Sequence, residues 1–177
     1  GLGVTTINLT TSGTVAAGTD SDIILASTGN ETTVNVTGSG DLALTTDVSV
    51  VTVEAAGATA NLTLVTGATT TATSIKTGAG NDNVTATAAV NYTIDLGAGN
   101  DTLTTADAAG ELTTLDSIAG GEGTDTLAIA SAEATGLDDG DTADNAVLAK
   151  ITGFEQLRIT DALGAALSLG SMVPYVG

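Results

Sequence analysis

The chain has 177 residues, 42% of them hydrophobic, and a net charge of −18 from 21 acids against Lys76, Lys150 and Arg158. So few basic residues exclude nucleic acid as a partner and disfavour an anionic membrane surface. With neither cysteine nor histidine there are no disulfides, no thiol chemistry and no imidazole base or ligand, which leaves hard, oxygen-seeking cations as the natural counter-charge.

Taken in chain order, short β-like runs follow one another with little between them. They are TINL at 6–9, DIIL at 22–25, TVNV at 33–36, LAL at 42–44, VSVVTV at 48–53 and LTLV at 62–65. TSI at 73–75, NVT at 83–85, YTIDL at 92–96, TLT at 102–104, DSI at 116–118, TLAI at 126–129 and EQLRI at 155–159 continue the series. Regular short strands punctuated by Gly and Thr predict a sandwich, a barrel or a solenoid. The only aromatic residues are Tyr92, Phe154 and Tyr175, so the core is narrow and aliphatic. An internal repeat decides for the solenoid: Gly-Ala-Gly-Asn-Asp stands at 78–82 and again at 97–101, one coil of two strands and two turns apart.

The chain divides into Thr/Val-rich coils over 1–75, coils carrying the glycine motif over 76–130, and an acidic excursion with a return strand over 131–160. A further, truncated coil starts over 161–177. Within the excursion, Asp138, Asp139, Asp141 and Asp144 cluster beside Gly136 and Gly140 in what reads as a solvated loop, before a helical turn near 143–150. No apolar run is long enough to span a bilayer. The chain begins at Gly1 and reads as a piece of a longer protein whose targeting signal lies elsewhere.

The glycine loops carry the chemistry. Gly78 and Gly80 can take positive φ, so the turn can point several carbonyls to one side, with Asp82 adding a carboxylate. The same grammar holds for Gly97, Gly99 and Asp101, and for Gly121, Gly123 and Asp125. Stacked coils lie roughly 4.8 Å apart, which puts Asp82, Asp101 and Asp125 in a column. Two bare carboxylates about 5 Å apart repel by about 3 kcal/mol at an effective dielectric near 20. A cation between coils removes that penalty, and an all-oxygen, many-ligand site suits Ca2+ better than Mg2+.

TGAGNDNVT, LGAGNDTLT and GGEGTDTLA resemble the RTX nonapeptide, Gly-Gly-x-Gly-x-Asp-x-hydrophobic-x, with Thr77 and Leu96 replacing the leading Gly in the first two. The succession of loops, insertion, GGEGTDTL and GFEQLRI resembles the calcium-dependent surface-layer (S-layer) proteins of the Caulobacter type. The motifs cover about 50 residues, and the wider likeness covers most of the chain. The resemblance implies an all-β fold, a right-handed parallel β-solenoid of RTX β-roll type with an irregular insertion. It implies Ca2+ held by Asp82, Asp101 and Asp125 together with loop carbonyls. Those come from Thr77, Gly78, Ala79, Gly80 and Asn81; from Leu96, Gly97, Ala98, Gly99 and Asn100; and from Gly120, Gly121, Glu122, Gly123 and Thr124. It implies a secreted structural protein of the bacterial cell surface, exported through a type I channel and self-associating into a lattice. Attachment to cell-surface polysaccharide would fall to another part of the parent. The step from Asp101 to Asp125 is longer than the first, so residues around DAAGELT must bulge and the second ion is held less securely. TGSGDLAL at 37–44 is one residue short of the motif, and Asp41 is not counted as a ligand.

Other readings stand beside this one. A phosphate cradle lacks the Walker lysine. Glycosidase chemistry lacks aromatic platforms, and no enzyme activity is expected. Asn8, Asn30, Asn35, Asn61, Asn83, Asn91 and Asn100 begin Asn-x-Thr triplets, glycosylation acceptors in a eukaryotic secreted protein but read here as polar residues sharing the outward face of strands. A calcium-dependent RTX adhesin, including an ice-binding one, is the alternative function. Ala79 and Ala98 occupy the slot where an ice-binding threonine rank would lie. A second alternative is the calcium-folded tail of a secreted protease or toxin.

Overall fold

The computed structural model describes residues 4–13, 21–25, 32–47, 49–106, 112–137 and 142–162. It is a parallel β-solenoid built from two seven-stranded sheets. One sheet holds the odd-numbered strands: β1 (Thr6–Thr11), β3 (Thr33–Gly38), β5 (Thr52–Ala58), β7 (Thr73–Lys76), β9 (Tyr92–Asp95), β11 (Ser117–Ala119) and β13 (Ile151–Thr152). The other holds the even-numbered ones: β2 (Ser21–Ile24), β4 (Leu42–Thr45), β6 (Leu62–Val65), β8 (Asn83–Thr85), β10 (Thr102–Thr104), β12 (Thr126–Ile129) and β14 (Gln156–Ile159). Each coil therefore contributes one strand to each sheet. The coils with and without the glycine motif belong to the same two sheets.

Alternation along each strand makes the core. In the first sheet Ile7, Val34, Val53, Ile75, Ile94, Ile118 and Ile151 are register partners in one unbroken file. In the second, Ile23, Leu44, Leu64, Val84, Leu103, Leu127 and Leu157 form the facing file. Most of these side chains are buried, and Leu64, Ile75, Val84 and Leu103 are fully so. Branched aliphatic residues suit a pleated surface, and like residues one coil apart stack without gaps. That is why the solenoid needs so few aromatic rings. Every register shift of one residue would turn a whole file outward, so the alternation also fixes the register.

Three expectations are corrected. The valine-rich run at 48–53 does not form the strand as a whole: β5 begins at Thr52. Asp47 accepts hydrogen bonds from the Ser49 backbone N–H and hydroxyl, and Val50 N–H donates to the Asp47 carbonyl, so the chain turns first. Nor is the start of the excursion solvated. Residues Ser131–Gly136 form helix α1, with Glu133 and Ala134 buried and Leu137 buried just beyond it. Ala and Glu are strong helix formers, and here they serve an apolar face. Helix α2 (Thr142–Leu148) occupies the expected helical turn, and its Leu148 packs into the core. Thirdly, Gly78 and Gly80 do not take positive φ, unlike Gly97, Gly99, Gly121 and Gly123.

Candidate metal centre

The three glycine loops lie on one edge of the solenoid, each leading into a strand of the second sheet. β8, β10 and β12 pair so that Asn83, Thr102 and Thr126 are in register, which places Asp82, Asp101 and Asp125 side by side on successive coils. The loops themselves are bridged: Ala79 pairs with Ala98, and Ala98 with Glu122. Close stacking demands glycine. A Cβ on Gly99 would come within 1.7 Å of the Gly80 carbonyl oxygen, and one on Gly123 within 1.7 Å of the Gly99 oxygen.

Two side-chain ladders tie these coils together, and they run in opposite senses. In the outer ladder Asn61 Oδ1 accepts from Asn81 N–H at 2.7 Å, Asn81 Oδ1 from Asn100 N–H at 2.8 Å, and Asn100 Oδ1 from Thr124 N–H at 2.9 Å. Asp41 belongs here, accepting from Asn61 N–H at 3.0 Å. In the inner ladder Asp82 Oδ1 accepts from Leu62 N–H at 2.7 Å, Asp101 Oδ1 from Asp82 N–H at 2.7 Å, and Asp125 Oδ1 from Asp101 N–H at 2.8 Å. Glu155 extends it, its Oε2 accepting from Asp125 N–H at 2.8 Å.

The inner carboxylates are deeply buried: Asp82 is 2% exposed, Asp101 1% and Asp125 0%. Burial pushes the Asp101 carboxyl up to about 7; the Asp82 N–H bond opposes the rise, and the Asp82 and Asp125 charges add to it. Asp125 is raised for the same first reason, opposed by the Asp101 N–H bond and reinforced by the Glu155 charge. In Asp82 the second oxygen is also engaged, Oδ2 accepting from Gly78 N–H at 3.3 Å. Asp101 Oδ2 and Asp125 Oδ2 are buried and have no hydrogen-bond partner.

Two buried, unpartnered carboxylate oxygens fit a hard cation, since an unpaired buried anion is otherwise costly. Among the described residues no three acidic side chains converge on one point, so such an ion would draw its remaining ligands from other oxygens of the loops. Several of the carbonyls named above already accept inter-coil hydrogen bonds: Gly78 from Ala98 N–H, Ala98 from Gly80 N–H, Gly97 from Glu122 N–H, and Glu122 from Gly99 N–H. Leu96 and Thr77 point inward and are buried, and the Thr77 hydroxyl donates to the Leu96 carbonyl. Ala79, Asn81, Asn100, Gly121, Gly123 and Thr124 line the exposed rim, whereas Gly80 is half-buried and Gly120 is buried beneath it.

The long step between Asp101 and Asp125 is closed by a separate device. Asp116, 3% exposed, accepts from Tyr92 N–H at 2.6 Å and from Thr113 N–H at 2.6 Å. Glu133 reaches from α1 to accept from Leu112 N–H at 3.0 Å. Sequence reasoning missed Asp116, Glu133 and Glu155 as coil-joining residues; the cue for Glu155 was the Gly153-Phe154-Glu155 triplet just before a strand. Of the acidic cluster, Asp138, Asp139 and Asp141 lie outside the described residues, as does the side chain of Asp144 in α2. No helix among the described residues is long and apolar enough to cross a membrane. No protein-family model matches the chain, and no curated protein or solved structure is similar to it.

Proposed function

We propose that the chain is a structural, non-catalytic segment of a secreted bacterial surface-layer protein, a solenoid whose coils are stapled by Ca2+ and which contributes to a cell-surface lattice. The observation that carries this reading is the file of buried carboxylates Asp82, Asp101 and Asp125, two of them with an unpartnered oxygen. A chain with three bases against 21 acids has little positive charge of its own to neutralise them. The file of Asp82, Asp101 and Asp125 would supply the negative charge that the ions neutralise together with loop oxygens, and the ions would supply positive charge between coils rather than reactivity. Metal binding and folding of the 76–130 segment are then linked, so that removing the ion lowers the stability of the fold at neutral pH.

The test is circular dichroism in chelator. The β signal is expected to fall and to return with Ca2+ but not with equal Mg2+; equal recovery with both ions rejects calcium as the staple. The surface-layer part is tested on the parent by electron microscopy, where Ca2+ should produce ordered sheets. Asp138, Asp139, Asp141 and Asp144 are the candidates for a second calcium site formed at lattice contacts, so replacing them together with Asn should weaken the sheets while leaving the calcium midpoint of folding unchanged. A parent that folds with calcium and never forms sheets would instead be an adhesin or the tail of a secreted enzyme.

A further inference from the structure

The first two loops have the same five residues, Gly-Ala-Gly-Asn-Asp, and the structure treats them differently. In the first, Gly78 lies outside the left-handed region, and its N–H turns onto Asp82 Oδ2. Both oxygens of Asp82 are thereby occupied, one by its own loop and one by Leu62 N–H of the preceding coil. In the second and third loops the equivalent glycines take positive φ, 87° at Gly97 and 111° at Gly121. There Asp101 Oδ2 and Asp125 Oδ2 have no hydrogen-bond partner.

The neighbour of each loop accounts for the difference. The first loop stacks on Ala58–Asn61, a turn without the glycine motif, and Ala79 N–H bonds to the Ala58 carbonyl. The second and third each stack on a glycine loop, with Ala98 N–H bonding to Gly78 O and Glu122 N–H to Gly97 O. The third is also backed by the Gly153–Glu155 coil: a Cβ on Gly120 would come within 1.9 Å of the Gly153 carbonyl and 2.8 Å of Asp125 Oδ2. Asp125 Oδ2 therefore lies against the backbone of its own loop, where a ligand shared with that loop would sit.

We propose that only the second and third loops take a divalent cation, one through Asp101 Oδ2 and one through Asp125 Oδ2, and that the first loop is a metal-free turn closed by its own backbone. This rests on the calcium-staple reading above and distributes its ions. Glu155 then serves as the fourth member of the carboxylate file and backs the last ion, so that two divalent charges balance four carboxylates.

Equilibrium dialysis with Ca2+ as the probe, on the whole chain at neutral pH, decides the matter. The wild type should bind two ions. Asp82→Asn should still bind two with little change in affinity, because the amide oxygen can keep the Leu62 hydrogen bond. Asp101→Asn and Asp125→Asn should each lose one ion or weaken it at least about tenfold, as disruption of a metal site typically does. Three ions in the wild type, or an ion lost from Asp82→Asn, overturns the inference while leaving the staple standing. No calcium bound by a folded wild type overturns the staple and the inference together. Should Asp82→Asn fail to fold, the wild-type stoichiometry of two or three decides alone.

Discussion

Asp101→Asn tests what the inner ladder is for. In chelator, Asp101 titrates at about 7 in the folded chain against 3.8 in the unfolded one. The folded state therefore holds a proton that the unfolded state has released. Its contribution to stability is complete below the unfolded value and is lost as pH rises through the folded one. A displacement of that size corresponds to about 4 kcal/mol at most, and roughly 2 kcal/mol if water relaxes the site. For a domain of this length that is on the order of 5–15 °C in Tm. Asparagine keeps the Oδ1 acceptor for Asp82 N–H and cannot titrate. In chelator, the fall in Tm from pH 3.5 to pH 8 should be shallower in the variant by that amount. Some slope should remain, because Asp125 is raised as well. In saturating Ca2+ the order should reverse, the wild type becoming the more stable protein at pH 8. The assay is thermal unfolding by circular dichroism at a series of pH values, with and without the ion. Equal slopes for the two proteins in chelator, or the same loss of Tm with and without calcium, would refute the argument.

Other expectations follow from the packing. Leu103→Ala, at a fully buried position in the second sheet's file, should cost about 2–5 kcal/mol in urea unfolding. Gly99→Ala should abolish cooperative unfolding, since its Cβ would sit 1.7 Å from the Gly80 carbonyl oxygen at a backbone φ of 140°. Glu133→Ala should cost about 1–3 kcal/mol by removing the acceptor for Leu112 N–H, with Glu133→Gln costing less because it retains one. Lys76→Ala, which removes the half-exposed ion pair with Asp95 at 3.6 Å, should change stability by less than about 1 kcal/mol.

The repeat and the aliphatic alternation were legible because each acts locally. β6, β8, β10 and β12 fall where short Val, Leu and Thr runs predict them, and a repeat of fixed length implies that its aspartates align. What escaped depended on partners distant along the chain. Helix α1 was hidden by the acids and glycines that follow it, and its Glu133 reaches back to Leu112, 21 residues earlier. Glu155 stands 30 residues after Asp125, so no fixed period finds it. The two-residue strand β13 has no pattern of its own and exists because Ile118 offers Ile151 a place in the file. The different conformations of two identical loops were likewise beyond local reading, since they depend on what each loop stacks upon.

Hydrogen bonding alone does not explain why the inner ladder is made of aspartate. One residue earlier on each coil, Asn61, Asn81 and Asn100 make the same kind of bond, a side-chain oxygen accepting a backbone N–H of the neighbouring coil, at 2.7–2.9 Å. Asparagine would keep that bond equally well and without charge at Asp101 and Asp125. Instead the outer ladder, amide apart from Asp41 at its start, faces solvent, whereas the carboxylates Asp82, Asp101 and Asp125 are buried, the reverse of the usual placement. A carboxylate differs from an amide there only in its negative charge and in a second acceptor oxygen. At Asp82 the loop's own N–H uses that oxygen; at Asp101 and Asp125 no donor among the described residues does. Burial makes the charge costly, and adjacent members of the file raise the cost further. A positive partner of matching position would remove that cost. The distribution of Asn and Asp across two otherwise equivalent ladders therefore argues for a cation independently of any motif, because it is the exchange of one for the other that hydrogen bonding cannot account for.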